Sequence, residues 1–455
     1  MAWITEINAA INGFVWSPVM LAFLIIAGIF LSTRLGFLQF RKFFYMLKNT
    51  ALSLFSKDQH ANDESGVSPF QATATALAGT IGTGSIAGLS TAIVMGGPGA
   101  IFWMWISALL GMVTKYCEIV LSLKYREKND KGEWVGGPMY YLKNGLNAKW
   151  LAVLFAIFAT LACLGTGNAT QSNSIAVALD STVGIAPWVT GVILVIICAC
   201  VILGGMRRIA SVNERMVPFM ALVFIACAVI AALINIRNIP AAFSLIFREA
   251  FRFKSAAGGV AGYGIMTAMQ YGFSRGVFSN EAGLGSAPIA HASSSTKDPV
   301  KQGLWGMFEV FFTTILICTL SGLVVLSSGL WDTGEYQGAA LSIAAFNTAM
   351  PGIGNLCITL STVFFALSTI LGWAYYGEVC IGYLTNKSRV AVQIYRLVYI
   401  VFVFVGAVGE LDLIWSLSET MNGLMIIPNM IGVVGLFKVV RDTTRKHFDE
   451  HKLQK

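Results

Sequence analysis

Residues 74–94 read ATALAGTIGTGSIAGLSTAIV, an apolar stretch in which Gly79, Gly82, Gly84 and Gly88 are interleaved with Thr80, Thr83 and Ser85. Each glycine weakens a helix by about 1 kcal/mol relative to alanine, so the cluster marks a membrane helix that opens in its middle. Opened backbone at membrane depth is tolerated only where it is buried in protein or lines a cavity. There its free amides can hold an anion such as a carboxylate, and its free carbonyls a cation.

Residues 262–290, GYGIMTAMQYGFSRGVFSNEAGLGSAPIA, show the same interruption and add Gln270, Ser274, Arg275, Asn280 and Glu281. A charge at membrane depth costs about 2.5–3.5 kcal/mol on insertion scales. Arg275 and Glu281 are therefore expected to pair or to stand near a water-filled vestibule, as part of the site, a gate or a structural ion pair. Both stretches end in a similar element, SIAGL from Ser85 and NEAGL from Asn280.

Outward from these two helices the chain is apolar throughout. Of its 455 residues 56% are hydrophobic and 12% charged, with a mean hydropathy of +0.70. A soluble domain carries about 25% charged residues, so a cytosolic enzyme, a secreted disulfide scaffold and a disordered chain are excluded. The fold class is an all-α membrane protein with eleven transmembrane helices. The spans are expected at 14–32, 70–93, 99–123, 151–176, 188–204, 214–236, 259–289, 301–327, 352–376, 393–410 and 413–437.

Lys and Arg fix the orientation, because loops on the cytoplasmic side hold most of them. With the N-terminus outside, the outer loops hold four of the 31 (Arg237, Arg248, Arg252 and Lys254) and Arg275 lies in a span. All the others, from Arg34 through Lys57, Lys115 and Lys149 to the tail, then fall inside. The net charge of +8 thus reports topology, not nucleic-acid binding. The exceptional outer loop contains PAAFSLIFREAFRF, with Phe243, Ile246, Phe247 and Phe251 at helical spacing, as in a helix lying on the membrane surface. A second short outer helix is expected within 337–350.

The two broken helices head two five-span blocks, 70–236 and 259–437. Five is odd, so they run in opposite directions, as in a five-plus-five inverted repeat with an extra N-terminal helix and its site at the midplane. Residues 1–69 and the cytoplasmic tail 438–455 complete one transmembrane domain. The eight cysteines fall in or beside apolar helices as small packing residues. His60, His291, His447 and His451 are placed in loops or the tail, which argues against a metal enzyme. The first residues lack the basic region of a cleavable signal peptide, and a bacterial inner membrane is the expected location.

GGPGAIFWMW (96–105), followed by ISALLG (106–111), resembles the signature of the alanine or glycine:cation symporters, the sodium:alanine symporter family. GTIGTGSIAG (79–88), VGGPMYYL (135–142) and GFSRGVFSNEAGLGSAPIAHA (272–292) are similar to further family elements and stand in the same order. The resemblance implies a leucine-transporter-like fold, with sodium-coupled uptake of alanine or glycine across the bilayer and no cofactor beyond the coupling ion.

Carried over by position, the resemblance places the substrate carboxylate on the opened backbone from Thr80 to Ser85, chiefly at Thr83 and Gly84. Gln270, Phe273, Ser274, Gly276 and Phe278 would face the amino group and the short side chain. In LSTVFFALSTILGWAYYGE (360–378), Ser368 and Thr369 resemble the hydroxyl pair that binds sodium in this fold. The carbonyls of Gly79, Ile81 and Ala366 would complete that oxygen shell, and Trp373 would roof the pocket. Ser85 stands where the resemblance leads one to expect Asn.

Asn168 and Gln171, in LGTGNATQSNS (164–174), are a third wall of the site or glue between helices. Trp103 and Trp105 are packing or interfacial residues. The glycines of the second span lack the G-x-x-x-x-G-K-[ST] pattern of a nucleotide-driven pump, which leaves a secondary transporter. With no His in any span, a membrane enzyme lacks a base, and two broken helices favour alternating access over a channel. Proton coupling is the mechanistic alternative, with Glu309 and Glu118 either as its carboxylates or as satisfied structural partners.

Overall fold

A computed structural model describes residues 2–55, 66–252, 263–409 and 412–453. Lys57, His60, Lys254 and the expected start of the seventh span lie outside the described residues. The fold is all-α and multi-pass. Among the described residues seven helices are long and apolar enough to cross a membrane, and nine if each of two bent pairs is one span. The first bent pair is Pro69–Thr80 with Thr83–Gly96, turned by 59°. Two shorter apolar helices, Pro187–Ile202 and Gly338–Ala349, and the 18-residue helix Tyr263–Asn280 accompany them. Each expected apolar run thus contains helix, and the two stretches expected as short outer helices are both helical, the first as Ile239–Ala250.

Local chemistry sets the helix starts. Proline occupies the first turn at Pro18, Pro69, Pro187 and Pro299, where its missing N–H costs nothing. Ser68 and Gln71 close a capping box on the first broken helix. Asp298 caps Pro299–Val310 by accepting from the amides of Val300 and Lys301. The same carboxylate meets His447 Nδ1 of the tail helix Phe437–Leu453 at 2.9 Å, which docks the tail against that helix start.

Burial separates the centre from the lipid-facing rim. Ala100–Tyr125 is almost wholly enclosed and packs against Pro299–Val310 and Tyr263–Asn280. Gly205–Ile234, by contrast, presents Leu222, Ile230 and Leu233 outward, as a lipid-exposed face does. Two placements differ from expectation. Lys115 lies in the middle of Ala100–Tyr125 and is fully buried, so it is an interior cation and not a topology signal. His291 is also fully buried, at the end of the short helix Ala287–His291, because the chain turns back into the protein after the seventh span.

Candidate functional site

The first broken helix opens where the glycines begin to alternate. Ile81 leaves helical geometry at φ −81°, ψ 71°, and Gly82 is extended at φ −102°, ψ −162°. A single short turn, Thr83–Ser85, follows before the helix resumes at Ala87. The second helix breaks at 281–285, with Glu281 at φ 56° and Gly283 and Gly285 at φ 94° and 81°. The glycines there adopt the left-handed region without penalty, whereas Glu281 does so against preference.

A small cavity lies against both breaks. The first break contributes Gly79, Thr80, Gly82 and Gly84 to its wall. Gln171 faces them: its Oε1 accepts from the Thr83 hydroxyl at 3.2 Å and the Thr83 amide at 3.5 Å, while its Nε2 donates to the Thr166 carbonyl at 3.1 Å. Phe278 closes on Gly84, where an added Cβ would stand 3.0 Å from its ring. Trp373 covers another side and donates from Nε1 to the Gly79 carbonyl at 3.3 Å. Its side chain approaches Gly167 so closely that a Cβ there would lie 2.4 Å from the Trp373 Cβ.

Ser368 and Thr369 meet the first broken helix beside this cavity. Their hydroxyls donate to the Ala78 carbonyl at 3.4 and 3.0 Å, and to the Phe365 carbonyl at 2.8 and 2.9 Å. Thr369 also lines the cavity. The oxygens gathered there are hard donors of the kind an alkali cation takes. The carbonyl in contact is that of Ala78, since that of Gly79 is engaged by Trp373. Ile81 and Ala366 are fully buried, Ile81 at the break and Ala366 on the hydroxyl-bearing helix.

Other expected residues stand elsewhere. Gln270 and Ser274 line a separate vestibule of about 670 Å³ with Arg275 and Glu419. Of the two alternatives expected for Arg275 and Glu281, pairing with each other or standing near a vestibule, Arg275 takes the second: it lines the vestibule with its Nη1 3.2 Å from Glu419 Oε1, while Glu281 lines the other cavity. Phe273 stacks near Trp103 at 6.2 Å between ring centres, and Gly276 packs on Ser107. Asn168 donates to the Tyr399 carbonyl at 2.7 Å, a bond between helices. Ser85 is buried with its Oγ 3.3 Å from that of Ser279.

Two wall residues were not singled out by their sequence, Thr166 and Asn422, while Glu281, weighed with Arg275 as part of the site, a gate or a structural ion pair, also lines the cavity. The run SLSETMN (416–422), polar inside an apolar span, carried the signal for Asn422. Behind the cavity lies a buried polar network. Thr80 Oγ1 donates to Glu309 Oε1 at 2.5 Å, and Lys115 Nζ reaches the same oxygen at 3.3 Å. His291 Nε2 lies 3.1 Å from Glu309 Oε2. Glu118 Oε1 accepts from the Gly283 amide at 2.9 Å and from Asn429 Nδ2 at 2.5 Å.

A multi-pass helical protein with two broken helices against a buried polar cavity has the build of a secondary transporter. The sequence matches the model of the sodium:alanine symporter family over residues 1–455, and the chain belongs to that family. It is therefore a transporter and not an enzyme. It is 46% identical over 457 residues to the sodium/alanine symporter AgcS of Methanococcus maripaludis, covering 99% of this chain and 98% of the relative. It is 37% identical to the probable sodium/glutamine symporter GlnT of Bacillus subtilis, over 96% of this chain and 90% of that one. The fold also matches a solved Na+-coupled sialic acid symporter at a TM-score of 0.59 and 15% identity, over 94% of this chain and 86% of that one.

Proposed function

We propose that the protein carries alanine or glycine into the cell with sodium, by alternating access across a plasma membrane of the bacterial inner-membrane type. In this reading eleven spans form a five-plus-five inverted repeat after one extra helix, with the N-terminus outside and the C-terminus in the cytoplasm. The observation that carries it is the meeting of Ser368 and Thr369 with the Ala78 carbonyl at the edge of the cavity formed by the opened helix.

Sodium held between those hydroxyls and the carbonyls of the first break would offset their negative charge and fix the opened segment. Its amides, from Gly82 to Ser85, then face the substrate carboxylate with Gln171 beside them. Coupling requires only that sodium favour the substrate-competent state by its differential affinity for it. Trp373 and Phe278 limit the space for the side chain, which favours a methyl group or hydrogen.

The test is uptake of labelled alanine by proteoliposomes under an inward sodium gradient, a proton gradient or neither. Sodium-driven uptake supports the reading. Uptake driven by protons alone would transfer coupling to the second reading, favoured by the bond between Glu309 and Thr80 at the break.

A further inference from the structure

We infer that Glu281 and Asn422 form the subsite that binds the ammonium group of the amino-acid substrate. The inference rests on the symport reading and assigns a residue pair to one end of its substrate. Glu281 is only 4% exposed and lies in the second break, lining the cavity that the first break also lines. Its Oε2 accepts from Ser286 Oγ at 2.5 Å. Among the described residues no cation lies within 4 Å of it, although the charge of Lys115 acts on it from farther off and Trp373 reaches its carboxyl, whereas Glu309 has Lys115 in contact and Glu118 has the Gly283 amide and Asn429.

A buried carboxylate without a counter-charge in contact is costly, and the cost is relieved when a cation enters beside it. The second observation is independent. Asn422, 1% exposed and on a different helix, lines the same cavity, and its Oδ1 has no hydrogen-bond partner. An orphaned acceptor and a carboxylate with no cation in direct contact, both lining one cavity, suit a group that brings both positive charge and several N–H donors.

An ammonium group supplies both. The first break supplies the complement, because the amide and hydroxyl of Thr83 are donors, held by Gln171 Oε1 in this structure. The cavity lining thus offers both acceptors and donors, as a zwitterionic α-amino acid needs. Sodium has its oxygens on Ser368, Thr369 and the Ala78 carbonyl instead.

The experiment compares L-alanine with L-lactate, which keeps the carboxylate and replaces the ammonium with a hydroxyl. Binding of each is measured with sodium on the purified full-length protein, unaltered and as Glu281→Gln and Asn422→Ala. The unaltered protein is expected to bind alanine and reject lactate. Glu281→Gln should lower alanine affinity about tenfold or more, as expected for the loss of a charge-assisted hydrogen bond, and shrink the preference over lactate.

Sodium half-saturation should stay within about twofold, since the pairwise term is local to the ammonium. Asn422→Ala should lower alanine affinity several-fold in the same selective way, and it decides the matter alone if Glu281→Gln does not fold. An unchanged preference for alanine over lactate in a folded variant overturns the assignment. So does a selective loss of sodium affinity, which would make Glu281 an ion ligand. Failure of the unaltered protein to bind alanine refutes the parent reading itself.

Discussion

Gly82→Ala isolates the space between the candidate sodium oxygens and the cavity. Gly82 is extended at φ −102°, ψ −162°, a conformation alanine also adopts, so the backbone does not resist the change. The methyl group does. It would stand 2.9 Å from Thr369 Oγ1 and 3.4 Å from Gln171 Oε1. One contact is too close to persist, so Thr369 or the break must shift. Overpacking by one methyl costs about 1–3 kcal/mol, and if that cost falls on the ligand-ready state the affinity drops roughly 5- to 150-fold. Gly88 is the control: it lies in the resumed helix, and an added Cβ meets nothing within 4 Å. In proteoliposomes, Gly82→Ala should raise the sodium and alanine concentrations for half-maximal uptake into that range. Gly88→Ala should leave both unchanged and express at least as well. Unaltered kinetics in Gly82→Ala would refute the placement of the ion and substrate on either side of this residue.

Thr369→Ala should raise the sodium concentration for half-maximal uptake far more than it changes expression; unaltered sodium dependence would remove Thr369 from the ion site. Trp373→Ala removes the large ring over Gly79 and should admit longer aliphatic side chains, measured by competition against labelled alanine, with an unchanged profile excluding the ring from substrate selection. Lys115→Met leaves Glu309 buried without its counter-ion, a loss of about 3–5 kcal/mol that should appear as a lowered melting temperature in detergent. Lys115→Met combined with Glu309→Gln should recover much of it, and equal instability of the single and double variants would show that the pair is not what the single change breaks.

The helical architecture was legible because a membrane span needs only a run of about 20 apolar residues, a local property of the chain. The two breaks were legible for a similar reason, as Gly79–Gly84 and Gly283–Gly285 announce backbone that helix cannot hold. Which side chains converge on the cavity was less so. Gln270 and Ser274 share a helix with Phe278, and the bend at Glu281 and the helix rotation decide which of them faces inward. That rotation is set by packing against Ala100–Tyr125 through Gly272 and Gly276, where an added Cβ would lie 2.5 Å from the Ala100 carbonyl oxygen and 2.8 Å from Ser107 Oγ. Lys115 was misplaced because a lone cation at the inner end of an apolar run has the same local pattern whether it caps the span or pairs within it. Its partner, Glu309, is nearly two hundred residues away, and only the tertiary fold brings them together.

That pairing bears on how the two breaks act together. Thr80, at the end of the first helical segment, bonds Glu309, and the Gly283 amide in the second break bonds Glu118. Both carboxylates belong to unbroken helices that pack against each other. Lys115 and Glu118 are three residues apart and so share one face of Ala100–Tyr125, with Lys115 reaching across to Glu309. The breaks are therefore joined through a short chain of charged and hydrogen-bonded groups behind the cavity. Such a chain transmits nothing by existing; it biases transport only if the states open to either side differ in its bonds. The bond that can differ most readily is Thr80 to Glu309, because Thr80 is the last helical residue before the opened backbone and moves with it. A sodium ion fixing Ala78 two residues earlier would restrain that hydroxyl as well. Ion binding at the edge of the cavity and the geometry of the buried carboxylate are thus tied by two residues of backbone, whichever cation drives the cycle.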